Sequence, residues 1–167
     1  SVPHGIEDYI LKASIPDPPL LIATILANKL DSAGIFTKNK PSTVRIENSK
    51  TIQDITLITE TESPPLSDIV EVLNHESINL FAEHLTKELG KVYKNRGSTF
   101  AGIETISSFL KDSAGISPDG IFMEDGSGLS PMDAVSSHDV TRLLYYMKNN
   151  GRYFSEYYSS LPEAGKE

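Results

Sequence analysis

Hydrophobic positions recur at helical spacing through most of the chain. Asp17-Pro18-Pro19 opens the first such stretch: Asp17 is a side-chain cap and proline is tolerated in a first helical turn. Ile22, Ile25, Leu26 and Leu30 follow on one face, and Gly34 supplies a left-handed stop. Residues 1–16 show no clean period and read as a trailing segment. A helix is expected after Ser67, with Ile69, Val70 and Leu73 on one face. Another begins near Asn79, burying Leu80, Phe81, Leu85 and Leu89 and stopping at Gly90. Ser98 or Thr99 caps a helix carrying Ile103, Ile106 and Leu110, closed by Gly115. Ser136, with Asp139 at the capping-box position, starts the most regular helix: Val140, Leu143, Leu144 and Met147 fall at i, i+3, i+4 and i+7, and Gly151 ends it. A last helical stretch runs from Tyr153 to Ser160.

The pattern differs at Thr43-Val44-Arg45-Ile46 and Ile55-Thr56-Leu57-Ile58-Thr59, two β-branched runs that predict short strands. Ser63-Pro64-Pro65 breaks the second. Ile121-Phe122 predicts a short extended piece, and Asp125-Gly126-Ser127-Gly128 a tight turn. Six helices against two or three short strands give a helix-rich α+β class, with residues 17–167 as one helix-rich piece.

Composition narrows the functional classes. The apolar share of 38% suits a folded core, but no apolar run reaches the length of about 18 residues that a spanning helix needs. A net charge of −8, with Lys and Arg scattered, excludes a nucleic-acid partner. The absence of cysteine removes disulfides, thiolate metal sites and cysteine nucleophiles together. Residues 1–16 do not read as a signal peptide, which decides little about the compartment.

The candidate chemistry is sparse. His75-Glu76-Ser77-Ile78-Asn79 has the outline of a His-Glu-x-x-His zinc helix, but Asn79 stands where the second imidazole must be, so no metal site is expected. No cofactor is expected either. His84, alone on a helix, reads as a packing residue. A serine and a lysine at i, i+3 share a helix face, where the amine can take the hydroxyl proton. The sequence has one such pair, Ser108 and Lys111. Lys111 falls in a last helical turn, where any cation is favoured by the helix dipole, so the pair reads as a coincidence of spacing. Ser77-Ile78-Asn79 lies at a junction of two amphipathic helices. A hydroxyl that relays a proton beside an amide that orients a carbonyl serves acyl transfer; the plainer reading of the same residues is helix capping.

Four blocks in order bear on that choice: Ser63-Pro64-Pro65-Leu66-Ser67 with Ser77-Ile78-Asn79-Leu80-Phe81-Ala82-Glu83; Asp125-Gly126-Ser127-Gly128-Leu129-Ser130; Leu161-Pro162-Glu163-Ala164-Gly165; and, upstream, Asp17-Pro18-Pro19 through Gly34-Ile35. Together they resemble the class C penicillin-binding proteins, the D-Ala-D-Ala carboxypeptidase/endopeptidases. That family reads Ser-Pro-Pro-Leu-Ser, Ser-x-Asn-Leu-Tyr-Ala-Glu, Asp-Gly-Ser-Gly-Leu-Ser and Leu-Pro-x-Ala-Gly at these places.

The resemblance implies a partial β-lactamase/transpeptidase-like fold, mainly its helical part, with peptidoglycan stem peptides and β-lactams as ligands of the parent enzyme. It implies an exported, periplasmic or extracytoplasmic setting. It makes Ser77 and Asn79 catalytic residues of the second motif, and Leu129 and Ser130 substrate-pocket residues. Pro131 stands where family members often carry arginine, which leaves an anion-recognising role there without its residue. The nucleophile's Ser-x-x-Lys and the Lys-Thr-Gly strand are not among the 167 residues, since Ser108 falls after Ser77 in chain order. The expectation is therefore a segment with no acylation chemistry of its own, exposing apolar surface that a homodimer would cover. The alternative is a non-catalytic binding module on the same scaffold. Lys-Thr-Gly shortly beyond Glu167 would favour the enzyme.

Overall fold

The computed structural model describes residues 14–47, 56–57 and 59–165. The chain divides into two compact units, Ser1–Glu60 and Thr61–Glu167. Among the described residues the order is α1 (Pro18–Ser32), α2 (Val44–Glu47), α3 (Leu66–Glu76), α4 (Asn79–Lys94), α5 (Thr99–Asp112), a 3₁₀ turn (Pro118–Gly120), α6 (Ser137–Asn150) and α7 (Phe154–Ser159).

In the first unit α1 forms as its pattern requires. The Asp17 carboxylate accepts from the Leu20 amide at 3.2 Å, and the chain leaves the helix through Gly34 at φ +79°. The strand expected at Thr43–Ile46 is instead α2. A β-branched run makes a strand only where a neighbour completes its ladder, and among the described residues none does. A single helical turn satisfies the backbone locally: the Ile46 and Glu47 amides donate to the Thr43 carbonyl at 3.0 and 2.9 Å. Ser42 Oγ donates to Glu47 at 2.6 Å, and Arg45 pairs with Asp17. The second expected strand, Ile55–Thr59, lies partly outside the described residues; Thr56, Leu57 and Thr59 are irregular. The only β pairing among the described residues is one antiparallel bridge, Phe122 with Ala134, which places the extended piece expected at Ile121-Phe122. Among the described residues the fold is helix-rich as expected, without strands.

The second unit is organised by the α4–α5 hairpin. Four residues join the helices, with Asn95 left-handed at φ +53° and the Arg96 amide returning to the Gly90 carbonyl at 3.1 Å. So short a link makes the helices antiparallel neighbours. They approach closely because small residues face each other. A Cβ on Gly102 would lie 2.0 Å from the Thr86 carbonyl oxygen, and one on Gly90 would lie 2.8 Å from the Gly102 nitrogen. Gly90 is therefore not the stop expected of it but a packing residue inside α4, which runs four residues further. Because the packed face of α4 carries Thr86 and Gly90, Leu80 and Leu89, expected in the core, are exposed.

Ala101, Leu110 and Ile116 form the buried apolar centre. α5 carries its expected cap, Ser98 Oγ accepting from the Ala101 amide at 3.2 Å. α6 begins at Ser136, whose hydroxyl accepts from the Asp139 amide at 3.1 Å. Phe109 of α5 meets Tyr146 of α6 edge-on, with ring centroids 5.7 Å apart. α3 packs against α7 and is tied to it by one polar link: Asn74 Nδ2 donates to Ser160 Oγ at 2.9 Å, and Ser160 is 1% exposed.

Candidate functional site

Two residues, Ser77 and Ile78, join α3 to α4. α3 ends at Glu76 because Ser77 turns left-handed, at φ +51° and ψ +50°, its amide returning to the Leu73 carbonyl. This conformation is ordinary for glycine and unfavourable for a residue with a Cβ. Ile78 is extended and serves as N-cap of α4 without a side-chain hydrogen bond; Asn79 is the first residue of the helix. Ser77 and Asn79 are both exposed, as the helix-helix junction reading expects. Neither the Ser77 hydroxyl nor the Asn79 amide has a hydrogen-bond partner among the described residues, so neither caps either helix there.

Four residues into α4, on the face that Asn79 opens, lies Glu83. One of its carboxylate oxygens accepts from the Gly126 amide at 2.7 Å and the Ser127 amide at 3.2 Å. Gly126 is pressed against α4: a Cβ there would stand 2.8 Å from the Ala82 carbonyl oxygen and would overlap the Thr86 hydroxyl. Asp125 gathers the rest of the turn. Its carboxylate accepts from the Ser127, Gly128 and Ser130 amides at 2.8, 2.6 and 2.8 Å, and from Ser127 Oγ at 3.1 Å. Desolvation on its own raises this carboxyl, but the donors of Gly128, Ser130 and Ser127 together outweigh it and hold Asp125 below its usual 3.8.

The loop presents the other two candidates differently. Leu129 is 74% exposed at its tip. Ser130 is half-buried, its amide on Asp125 and its hydroxyl accepting from the Met132 amide at 3.2 Å. No hydrogen bond among the described residues joins Ser77 or Asn79 to Leu129 or Ser130; the link between the pairs is α4 and its Glu83. None of the four lines the cavity of about 570 Å³ behind the loop, between α5 and α6, or the groove of about 740 Å³ between α3 and α4.

The remaining candidates separate cleanly from this region. Ser108 Oγ donates to the Glu104 carbonyl at 2.9 Å, its own preceding turn, and Lys111 is exposed without bonding it. Among the described residues no group of histidines and carboxylates is arranged to hold a metal. Sequence reasoning missed Glu83 although it quoted it in a block; its i, i+4 spacing from Asn79 was the available signal. Asn74 and Ser160 carried no such signal, being 86 residues apart.

The chain matches the D-Ala-D-Ala carboxypeptidase 3 (S13) family over residues 1–167, and it belongs to that family. No curated protein matches it. The match supports serine-type D-Ala-D-Ala carboxypeptidase activity in the family. Among the described residues no helix is long and apolar enough to cross a membrane.

Proposed function

From that membership, we propose that residues 17–167 are the helical segment of a serine-type D-Ala-D-Ala carboxypeptidase/endopeptidase of the class C penicillin-binding kind, acting outside the cytoplasm on peptidoglycan stem peptides. The nucleophilic serine and the Lys-Thr-Gly strand come from elsewhere in the enzyme. That serine attacks the carbonyl between the two D-alanines, the C–N bond breaks as the leaving amine takes a proton, and water then hydrolyses the ester. Ser77 passes the proton toward the leaving amine. Asn79 holds a side-chain amide of the stem peptide, and Leu129 and Ser130 flank the peptide. β-Lactams acylate the same nucleophile in the parent, and the 167 residues alone form no acyl adduct.

The observation that supports this reading best is that the Ser77 hydroxyl and the Asn79 side-chain amide have no hydrogen-bond partner among the described residues, although the Ser77 backbone ends α3. A helix junction built for capping uses its hydroxyl and amide on backbone groups; here both are exposed, and Ile78 starts the helix. A second reading, a non-catalytic binding module, draws on one fact: the only Ser-x-x-Lys present has its hydroxyl committed to Glu104.

Turnover of a D-Ala-D-Ala peptide by Ser77→Ala and Asn79→Ala in the complete enzyme decides between the two. Each is expected to lose about 10²–10⁴-fold in turnover with a nearly unchanged melting point. Normal turnover would remove both residues from the mechanism.

A further inference from the structure

Asn79, Glu83, Thr86 and Gly90 share one face of α4, and Asn79 is exposed there without a side-chain hydrogen bond among the described residues. Gly90 meets α5, while Glu83 and Thr86 meet the 125–130 loop. Two backbone amides converge on a single oxygen of Glu83, a charge-assisted arrangement stronger than the neutral bonds around it. Gly126 admits the loop to contact distance with the Ala82 carbonyl and Thr86. Asp125 then carries the position of Gly126 forward to Ser130 through its own bonds to Ser127, Gly128 and Ser130. A chain of direct contacts thus runs from the helix that Asn79 begins to the residue pair at the loop tip, over a rise of roughly 6 Å along α4.

We propose that Glu83 is a positioning residue: its carboxylate fixes the loop carrying Leu129 and Ser130 in register with the Ser77–Asn79 end of α4, so that the two candidate substrate-binding elements move as one piece. The proposal rests on the site reading given above and deepens it. Without the carboxylate, the part-buried Gly126 amide loses its acceptor while the Ser127 amide keeps Asp125, and the loop must shift to satisfy Gly126. A displacement of about 1 Å at a binding loop is enough to cost about 10²-fold in rate.

The test uses the complete enzyme with Glu83→Ala, Glu83→Gln and Gly126→Ala. Two readouts are needed: hydrogen exchange of the peptide spanning residues 125–130, and kcat and KM for a D-Ala-D-Ala peptide. Glu83→Ala is expected to speed exchange in that peptide about tenfold or more and to lower kcat/KM by about 10–10²-fold. Glu83→Gln keeps a carbonyl acceptor and is expected to recover most of both. Gly126→Ala forces the same loop off α4 with Glu83 intact and is expected to reproduce the loss, which keeps the test open should Glu83→Ala not fold. Unchanged exchange in Glu83→Ala overturns the proposal, as does fast exchange with normal kcat/KM. Failure of the site reading shows elsewhere, as normal turnover in Ser77→Ala and Asn79→Ala while the loop exchange in those variants stays slow.

Discussion

The α4–α5 seam and the α3–α7 side of the second unit are packed by opposite means. At the seam the contact is made by backbone: Thr86, Gly90, Ala101 and Gly102 are buried, and no large side chain separates the helices. On the other side the residues are large, but they are only partly covered. Leu66 is 62% exposed, and with Val70, Met147, Tyr153 and Tyr157 it lines an apolar groove of about 560 Å³. One part-buried hydrogen bond, Asn74 to Ser160, ties α3 to the end of α7 there. The comparison teaches that apolar content is a poor guide to where this unit is held together. Small residues that let two backbones touch give rigid placement, whereas long apolar side chains with nothing opposite them give surface. The junction of Ser77 and Asn79 sits between these two regimes, with its α4 side in the rigid one.

The largest expected effect comes from breaking the seam. Gly102→Ala gains about 1 kcal/mol of helix propensity but drives a methyl into the Thr86 backbone. Overpacking of about 1–3 kcal/mol or more opposes the gain, and a collision with backbone sits at the upper end of that range. A net loss of about 2 kcal/mol is expected in denaturant melts. Gly97→Ala is the control, because its Cβ would meet nothing nearer than 3.9 Å; unchanged or slightly raised stability is expected. Equal behaviour of the two variants would mean that the helices do not touch as described.

A smaller effect is expected on the open side. Asn74→Ala removes a donor from Ser160 Oγ, but that hydroxyl still donates to the Tyr157 carbonyl at 2.7 Å. The loss should be about 1 kcal/mol, and it should add to that of Gly102→Ala, since the two sites share no partner. A loss as large as that of Gly102→Ala would place α3–α7 on an equal footing with the seam and end the contrast.

The helices and their caps were legible because they are local: Asp17, Ser98 and Ser136 each cap a helix within three residues of themselves. The β-branched run at Thr43–Ile46 misled because a strand depends on a neighbour that local sequence does not contain. Gly90 misled in another way. A glycine after an apolar helical run reads as a stop, and only the closeness of α5 reveals it as a contact. The four blocks reach the carboxypeptidase family that the chain belongs to. The Glu83 bond across 43 residues showed in the sequence only as an i, i+4 spacing from Asn79, and the Asn74–Ser160 bond across 86 residues depends on folded geometry alone.

The most direct test of the central claim is Ser77→Gly in the complete enzyme, melted and assayed side by side. Ser77 occupies a left-handed position that glycine adopts without strain. The substitution is therefore expected to leave the melting point unchanged or to raise stability by up to about 1 kcal/mol. Turnover of D-Ala-D-Ala peptides is expected to fall by about 10²-fold or more as the proton-relaying hydroxyl disappears. A more stable enzyme that has lost turnover is the expected result; a stable enzyme that turns over normally would contradict the claim that this serine is there for chemistry.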